Sequence, residues 1–456
     1  MKKEQKLILT ISILAAFVAF LDGSVVNVAL PAIVRELGGG LQVQQWVVDS
    51  YLLTLGSLIL LAGSLSDLFG RQKVLAVGLI GFGLASILCA IAPKSSILIT
   101  ARAMQGIAGA LLVPSSLALI IANFKGAAQA KAIGTWTAWT GISFLIGPLV
   151  GGILVDKASW RWVFAINVIP IAITLFLIRR IKGREKLMNK PKLDIVGALL
   201  CTFGLAGPVY ALIEQPHYSW SNPIIYTPLT LGLVLLLGFI IYEGKYPKPM
   251  LPLLLFKVRN FSVGNIATTI IYAGLAVATF LLIIFLQQVG HYSALNSGLS
   301  LLPVTIIMFL LSPKFGGLAG RFGPRLFMGL GPIIGGLGFL MMLRIGTNVA
   351  YLTQILPGIL VFGLGLSMTV APLTAAILGG IESQHAGIGS AVNNAIARIA
   401  GLLATAAIGV VIGSQLTLGS FKRGMVATAL LLIFGGVISA IGIQNTKPEP
   451  QPIAGS

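Results

Sequence analysis

Long apolar runs, separated by short polar or basic stretches, recur along the whole chain. Val74 to Ala92 and Met425 to Ile443 carry no charge at all, and each approaches the roughly 20 residues a helix needs to cross about 30 Å of hydrocarbon. Backbone groups in lipid must be satisfied within their own segment, so such runs are expected to be helices. The pattern predicts fourteen of them, at 7–30, 46–66, 74–92, 97–123, 132–155, 162–181, 193–213, 223–242, 261–286, 294–312, 326–343, 351–377, 387–411 and 425–443. The expected fold class is therefore an all-α integral membrane protein.

Composition sharpens this. Only 9% of the residues are charged and the mean hydropathy is +0.97, whereas a soluble domain carries about 25% charged residues. A net charge of +19 raises the thought of a nucleic-acid partner, but its distribution removes it. With Lys2, Lys3 and Lys6 inside, the inner loops hold about three basic residues for each one outside, as the positive-inside rule expects. Both termini are then cytoplasmic in a multi-pass protein of the cell membrane. The first apolar run lacks a clear small-residue cleavage site and is expected to be retained. Cys89 and Cys201 fall within spans and offer no disulfide framework. The three histidines are dispersed, with no metal-ligand spacing.

The longest basic loop, Arg179 to Lys192, follows the sixth span and suggests a boundary between two bundles. The expected division is an N-terminal six-helix bundle over 1–181, a linker with an inserted two-helix hairpin over 182–260, a C-terminal six-helix bundle over 261–443, and a disordered Pro-rich tail over 444–456. An internal repeat supports it. GSLSDLFGRQK (Gly63 to Lys73) stands between the second and third spans and GLAGRFGPR (Gly317 to Arg325) between the tenth and eleventh. Duplicated halves that meet around a midplane site are common among secondary transporters.

Candidate chemistry lies in the charges that cannot reach water. An ionised side chain inside the bilayer costs about 3 kcal/mol or more, so it is usually paired, neutralised or functional. Asp22 in LDGSVVNVALP, Asp49 in WVVDSYLL and Arg102 in ARAMQGIAGA all lie within roughly 6–12 Å of the outer interface, given 1.5 Å per helical residue. A three-charge cluster is expected. Burial disfavours a carboxylate and a neighbouring guanidinium favours it, so an aspartate between the two can load and release protons. A static ion pair between helices, and for Asp49 wetting at the interface, are the structural alternatives. In the fifth span, Gly147, Pro148, Gly151 and Gly152 combine a kink-forming proline with close-packing glycines, as a flexing point or as plain packing. Trp136 and Trp139 offer either aromatic faces for a ligand or packing. Trp160 and Trp162 are expected in the interfacial belt. Asn393, Asn394 and Arg398 lie on one stretch of the thirteenth span, the last two at i and i+4 on one face. They suit substrate contact or gating, or in the case of Arg398 a reach toward headgroups.

These segments together resemble the fourteen-helix drug:proton antiporter branch of the major facilitator superfamily. LDGSVVNVALP, with Asn27, looks like its first-helix motif. GSLSDLFGRQK resembles the superfamily's loop motif, keeping Gly63, Asp67, Gly70 and Arg71. LITARAMQGIAGA is similar to the fourth-helix motif through Arg102, Gln105 and Gly106, SFLIGPLVGG to the fifth-helix antiporter motif, and SWRWVFAINVIP to the start of the sixth helix. The resemblance implies two six-helix bundles around a central cavity, alternating access, and proton-driven export of amphipathic small molecules by a monomer. It makes Asp22 and Arg102 proton-coupling candidates, to which the depth of Asp49 adds a third, and the Asp67–Arg71 pair part of an inner gate. No cofactor is implied beyond the proton gradient. The second-half spans contain no carboxylate, which favours neutral, zwitterionic or monovalent amphiphiles over dications. An exporter of one dedicated metabolite, lipid or peptide-like product would use the same machinery. An integral-membrane enzyme would need a nucleophile, base or metal constellation that the sequence does not offer, and nothing resembles a channel filter.

Overall fold

The computed structural model describes residues 3–181, 193–346, 348–381 and 386–445. Most of the Arg179–Lys192 loop, Glu382 and nearly all of the tail thus lie outside the described residues. Those described are helical or irregular, and fourteen helices are long and apolar enough to cross a membrane. They are α1 (Lys3–Leu37), α2 (Gly40–Phe69), α3 (Arg71–Ala90), α4 (Ser95–Asn123), α5 (Gly126–Lys157), α6 (Arg161–Ile178), α7 (Ile195–Glu214), α8 (Pro223–Lys245), α9 (Arg259–Gln288), α10 (Ala294–Phe322), α11 (Pro324–Arg344), α12 (Tyr351–Gly379), α13 (Gly387–Ile412) and α14 (Leu418–Gly442). Several overrun the apolar runs; α1 extends from Lys3 to Leu37 where the sequence suggests 7–30, because a helix continues past the hydrocarbon while its caps remain in the headgroup region.

Two bundles related by a repeat pattern emerge from the packing. In the first, α4 packs on α2 and α3 while α5 packs on α1. In the second, α12 packs on α10 and α11 while α13 packs on α9. The bundles meet through α2 against α13 and α5 against the start of α10. The inserted pair α7–α8 packs on itself and lays α7 along the α2–α13 seam. Glu214, at the end of α7, accepts from Gln42 Nε2 (2.6 Å) and Trp46 Nε1 (2.9 Å) of α2.

The repeated loops share a backbone requirement. Gly70 between α2 and α3 has φ 96°, and Gly323 between α10 and α11 has φ 86°, a region that side chains with a Cβ rarely adopt. This explains the Phe-Gly shared by both copies. The lipid-facing surface shows itself by periodicity: Val77, Ile80 and Leu84 on α3 are exposed at helical spacing, which is stable only where the solvent is hydrocarbon.

Close approach of α4 to α2 depends on Gly106, where an added Cβ would collide with Thr54 Oγ1 and the Tyr51 carbonyl. Gly106→Ala is expected to destabilise the fold by about 1–3 kcal/mol, read as a lower unfolding midpoint in detergent. Gly134→Ala, where a Cβ meets open space, should leave the midpoint unchanged or raise it.

Candidate functional site

A polar network lies sealed inside the first bundle. Asp22 of α1 accepts from Arg102 Nη1 of α4 at 2.6 Å, from Gln105 Nε2 at 2.9 Å and from Asn167 Nδ2 of α6 at 2.9 Å. Gln105 also accepts from Arg102 Nη1 at 2.6 Å and donates to Ser86 Oγ of α3 at 2.9 Å. Arg102 Nε donates to the Val47 carbonyl of α2 at 3.0 Å, and its guanidinium lies 4.2 Å from the centre of the Tyr51 ring. Asp22, Gln105, Ser86 and Asn167 are all 0% exposed and Arg102 is 1% exposed. A buried ion pair is tolerated only when its remaining lone pairs and protons are satisfied; here amides, a hydroxyl and a ring face supply that.

Each member is delivered by local sequence. Arg102 and Gln105 are i and i+3 on α4, so both side chains share one face. Asn167 sits where α6 breaks between Ala165 and Val168. Pro170, three residues on, has no N–H for the Ile166 carbonyl and its ring crowds that group, which opens the turn.

The expected three-charge cluster does not form. Asp49 is 0% exposed, and both its carboxylate oxygens lack a hydrogen-bond partner among the described residues. It occupies the strip of α2 that faces the second bundle, one turn from Gln45 and seven residues before Gly56. Gln45 Nε2 donates to the Thr405 and Ala406 carbonyls of α13 at 2.7 and 3.0 Å, and Gly56 lies against Arg398 and Ile399. The reason is azimuth: Asp49 and Val47, whose carbonyl meets Arg102, are two residues apart and point about 200° apart around the helix. Wetting at the interface is likewise not observed.

The glycine–proline stretch of α5 is a contact surface. Added Cβ atoms on Gly147 and Gly151 would strike Ser24 and Val25 of α1, and one on Gly152 would strike the Leu295 backbone of α10. Gly298 of α10 in turn abuts the Pro148 carbonyl. Just beyond, Asp156 caps α10 by accepting from the Ala294 and Leu295 amides at 3.0 and 2.9 Å, and Gln287 donates to the Val28 carbonyl at 2.9 Å. These bonds join the halves at the end far from the N-terminus. At the N-terminal end, Arg71 pairs with Asp67 on its own loop at 3.2 Å, and Gly63 borders open space.

Other expected residues take quieter places. Trp136 is buried and donates to Ser116 Oγ at 3.3 Å, while Trp139 is exposed. Asn393 donates to Asn265 Oδ1 (3.1 Å) and Thr268 Oγ1 (2.8 Å) of α9. Arg398 stacks over Phe20 of α1 at 5.2 Å, a contact across the halves rather than a reach for headgroups. Asn27 and Asn394 are half-buried. Trp160 corrects the belt expectation: it is 3% exposed and donates to Glu36 Oε2 at 2.6 Å, whereas Trp162 is 57% exposed. Ser86 and Asn167 were not singled out from sequence; Asn167 was findable as an amide inside an apolar span beside a proline, but Ser86 resembles any small packing residue.

Fourteen helices long and apolar enough to cross a membrane, arranged as two pseudo-equivalent six-helix bundles that meet along a seam, define a multi-pass membrane architecture. The family model "Major Facilitator Superfamily" matches residues 12–405, and the chain belongs to that superfamily. It is 33% identical over 411 residues to the puromycin resistance protein pur8 of Streptomyces alboniger, covering 88% of this chain and 81% of that protein. It is 32% identical to the multidrug transporter protein MdtP of Bacillus subtilis (91% and 76% covered) and 33% identical to the methylenomycin A resistance protein of the same organism (89% and 87%). A crystal structure of a peptide transporter POT in complex with sulfate superposes with a TM-score of 0.71 at 15% identity, over 95% of this chain and 93% of that one, a likeness of fold alone.

Removing Arg102 strands the Asp22 charge. Arg102→Leu is expected to cost about 3–5 kcal/mol, seen as a fall in the unfolding midpoint. Asp22→Asn added to it should recover part of that loss, since a neutral amide replaces the stranded carboxylate; a double variant less stable than the single would contradict the pairing.

Proposed function

We propose that this chain is a proton-driven exporter of amphipathic small molecules in the cell membrane, working by alternating access. The observation that carries the reading is the contrast between two buried carboxylates. Asp22 is paired with Arg102 and accepts from the amides of Gln105 and Asn167. Asp49 has no donor or cation, and an isolated ionised carboxylate is too costly to bury, so it holds a proton while the seam is shut. Parting of α2 from α13 admits water, and the charged form becomes tolerable. Proton uptake at Asp49 and closure of the far end are then linked by mass action. With the N-terminus cytoplasmic, external protons favour a cavity open to the cytoplasm, as export requires. Asp22 is the second coupling candidate; its protonation would release Arg102 and loosen α1 from α4.

Substrate chemistry follows from the second half. Between Arg259 and Asn445 the sole Asp or Glu is Glu382, while Arg398 lies at the seam over Phe20. Such a cavity suits neutral, zwitterionic or singly charged amphiphiles. Relatives named for a single compound stand beside multidrug ones, which supports a second reading, export of one dedicated product.

Purified protein in liposomes under an imposed pH gradient tests this, with ethidium and a neutral amphiphile as ligands. Gradient-driven accumulation is expected in the native protein, with loss of the gradient dependence and retention of binding in Asp49→Asn. Coupling that survives in Asp49→Asn and fails in Asp22→Asn would move the proton site to Asp22. Uptake that ignores the gradient in native protein would sink the antiport reading, and inertness toward both ligands would favour the dedicated exporter.

A further inference from the structure

Two apolar clefts adjoin on α14, at the end of the protein far from the N-terminus. The first, of about 470 Å³, is lined by Leu343 of α11 and by Lys422, Arg423, Val426, Ala427 and Leu430 of α14. The second, of about 300 Å³, lies between α9, α13 and α14. Its walls are small: Ala273, Ala404 and Ala407 leave space that larger side chains would fill. Ala427 belongs to both. The two clefts are thus neighbouring lobes on one helix, and both run along α14 from its first turns into the hydrocarbon.

The mouth is basic, and among the described residues no carboxylate pairs with it. Lys422 and Arg423 stand in the second turn of α14, and exposed Arg344 ends α11 next to Leu343. Arg423 Nη2 donates to the Ile412 carbonyl at 3.2 Å, which steadies its guanidinium near the α13 terminus. From Arg259 to Asn445 the only acidic residue in the sequence is Glu382, which lies outside the described residues. Asp156, the acid that reaches this half from the first, is occupied by the amides of Ala294 and Leu295. The positive end of the α14 macrodipole adds to the same sign, its cap being met by Thr417 and Ser420. The neutralising charge must come from outside the chain.

We propose that this groove binds one anionic glycerophospholipid, its phosphate between Lys422 and Arg423 and one acyl chain in each cleft. A free phosphate would leave the apolar lobes unused, and a zwitterionic lipid would bring its own cation to a basic mouth. None of its residues belongs to the Asp22 network; α13 also carries the seam acceptors Thr405 and Ala406, but lipid binding is read without transport, so the proposal stands or falls independently of the transport reading.

Native mass spectrometry of the full-length protein, with phosphatidylglycerol or phosphatidylcholine of identical acyl chains, tests it. Native protein is expected to hold the anionic lipid the more tightly. A base near a membrane surface is worth about fivefold in affinity for anionic lipid, so Lys422→Gln with Arg423→Gln should lose roughly twenty-five-fold and abolish the preference. Lys94→Gln, a base elsewhere at the same end, should change it little. Ala427→Phe, which fills the junction of the lobes, should weaken both lipids; if it fails to fold, the charge variants decide alone. Equal binding of the two lipids by native protein overturns the proposal, as does a preference that survives the double charge variant or falls equally with Lys94→Gln.

Discussion

The first bundle depends on a single buried ion pair. Asp22 and Arg102 meet with essentially no exposure to solvent, and bare charges there would unfold the region rather than hold it. What makes the pair tolerable is the set of neutral groups around it: the amides of Gln105 and Asn167, the Ser86 hydroxyl, the Val47 carbonyl and the Tyr51 ring. They come from α2, α3, α4 and α6, and Asp22 itself from α1, so satisfying one pair fixes the relative positions of five helices. Removing either partner therefore changes the mutual packing of the bundle as well as its charge.

The second constraint is the seam. At the far end the halves are joined through backbone groups and close-packed glycines: Gln45 donating to α13 carbonyls, Gln287 to an α1 carbonyl, Asp156 accepting from α10 amides, and Gly152 against Leu295. Apolar packing crosses the seam there as well, Val28 of α1 against Ile283 of α9 and Ala294 of α10, so the closed end combines hydrogen bonds, steric fits and buried apolar contacts. The repeated loops at the other end share a left-handed glycine but not their acid, since Gly320 stands where Asp67 stands. The Asp67–Arg71 pair is therefore a feature of one half only.

The inserted pair α7–α8 has a structural role independent of the repeat. It lies along α2 and α13, the same two helices that flank Asp49, and is pinned to α2 by Glu214. Any movement that parts α2 from α13 must shear against α7, so the hairpin restrains the seam beside the partnerless carboxylate.

Membrane class, helix number, the two-bundle repeat and the meeting of Asp22 with Arg102 were legible in the sequence, because hydrocarbon imposes length and apolarity on every span and makes each internal charge conspicuous; Gln105 stood out only as a motif residue. Tertiary structure alone decided which other polar residues meet. Depth along a helix follows from counting residues, but azimuth depends on how helices pack: Asp49 lies at the depth of Asp22 and faces away from it, toward the second bundle. Ser86 and Asn167 joined the network through the crossing of α3 and the break in α6, and Trp160 was drawn inside by Glu36. Spacing determines what a residue is able to reach, and only the packed bundle determines what it touches.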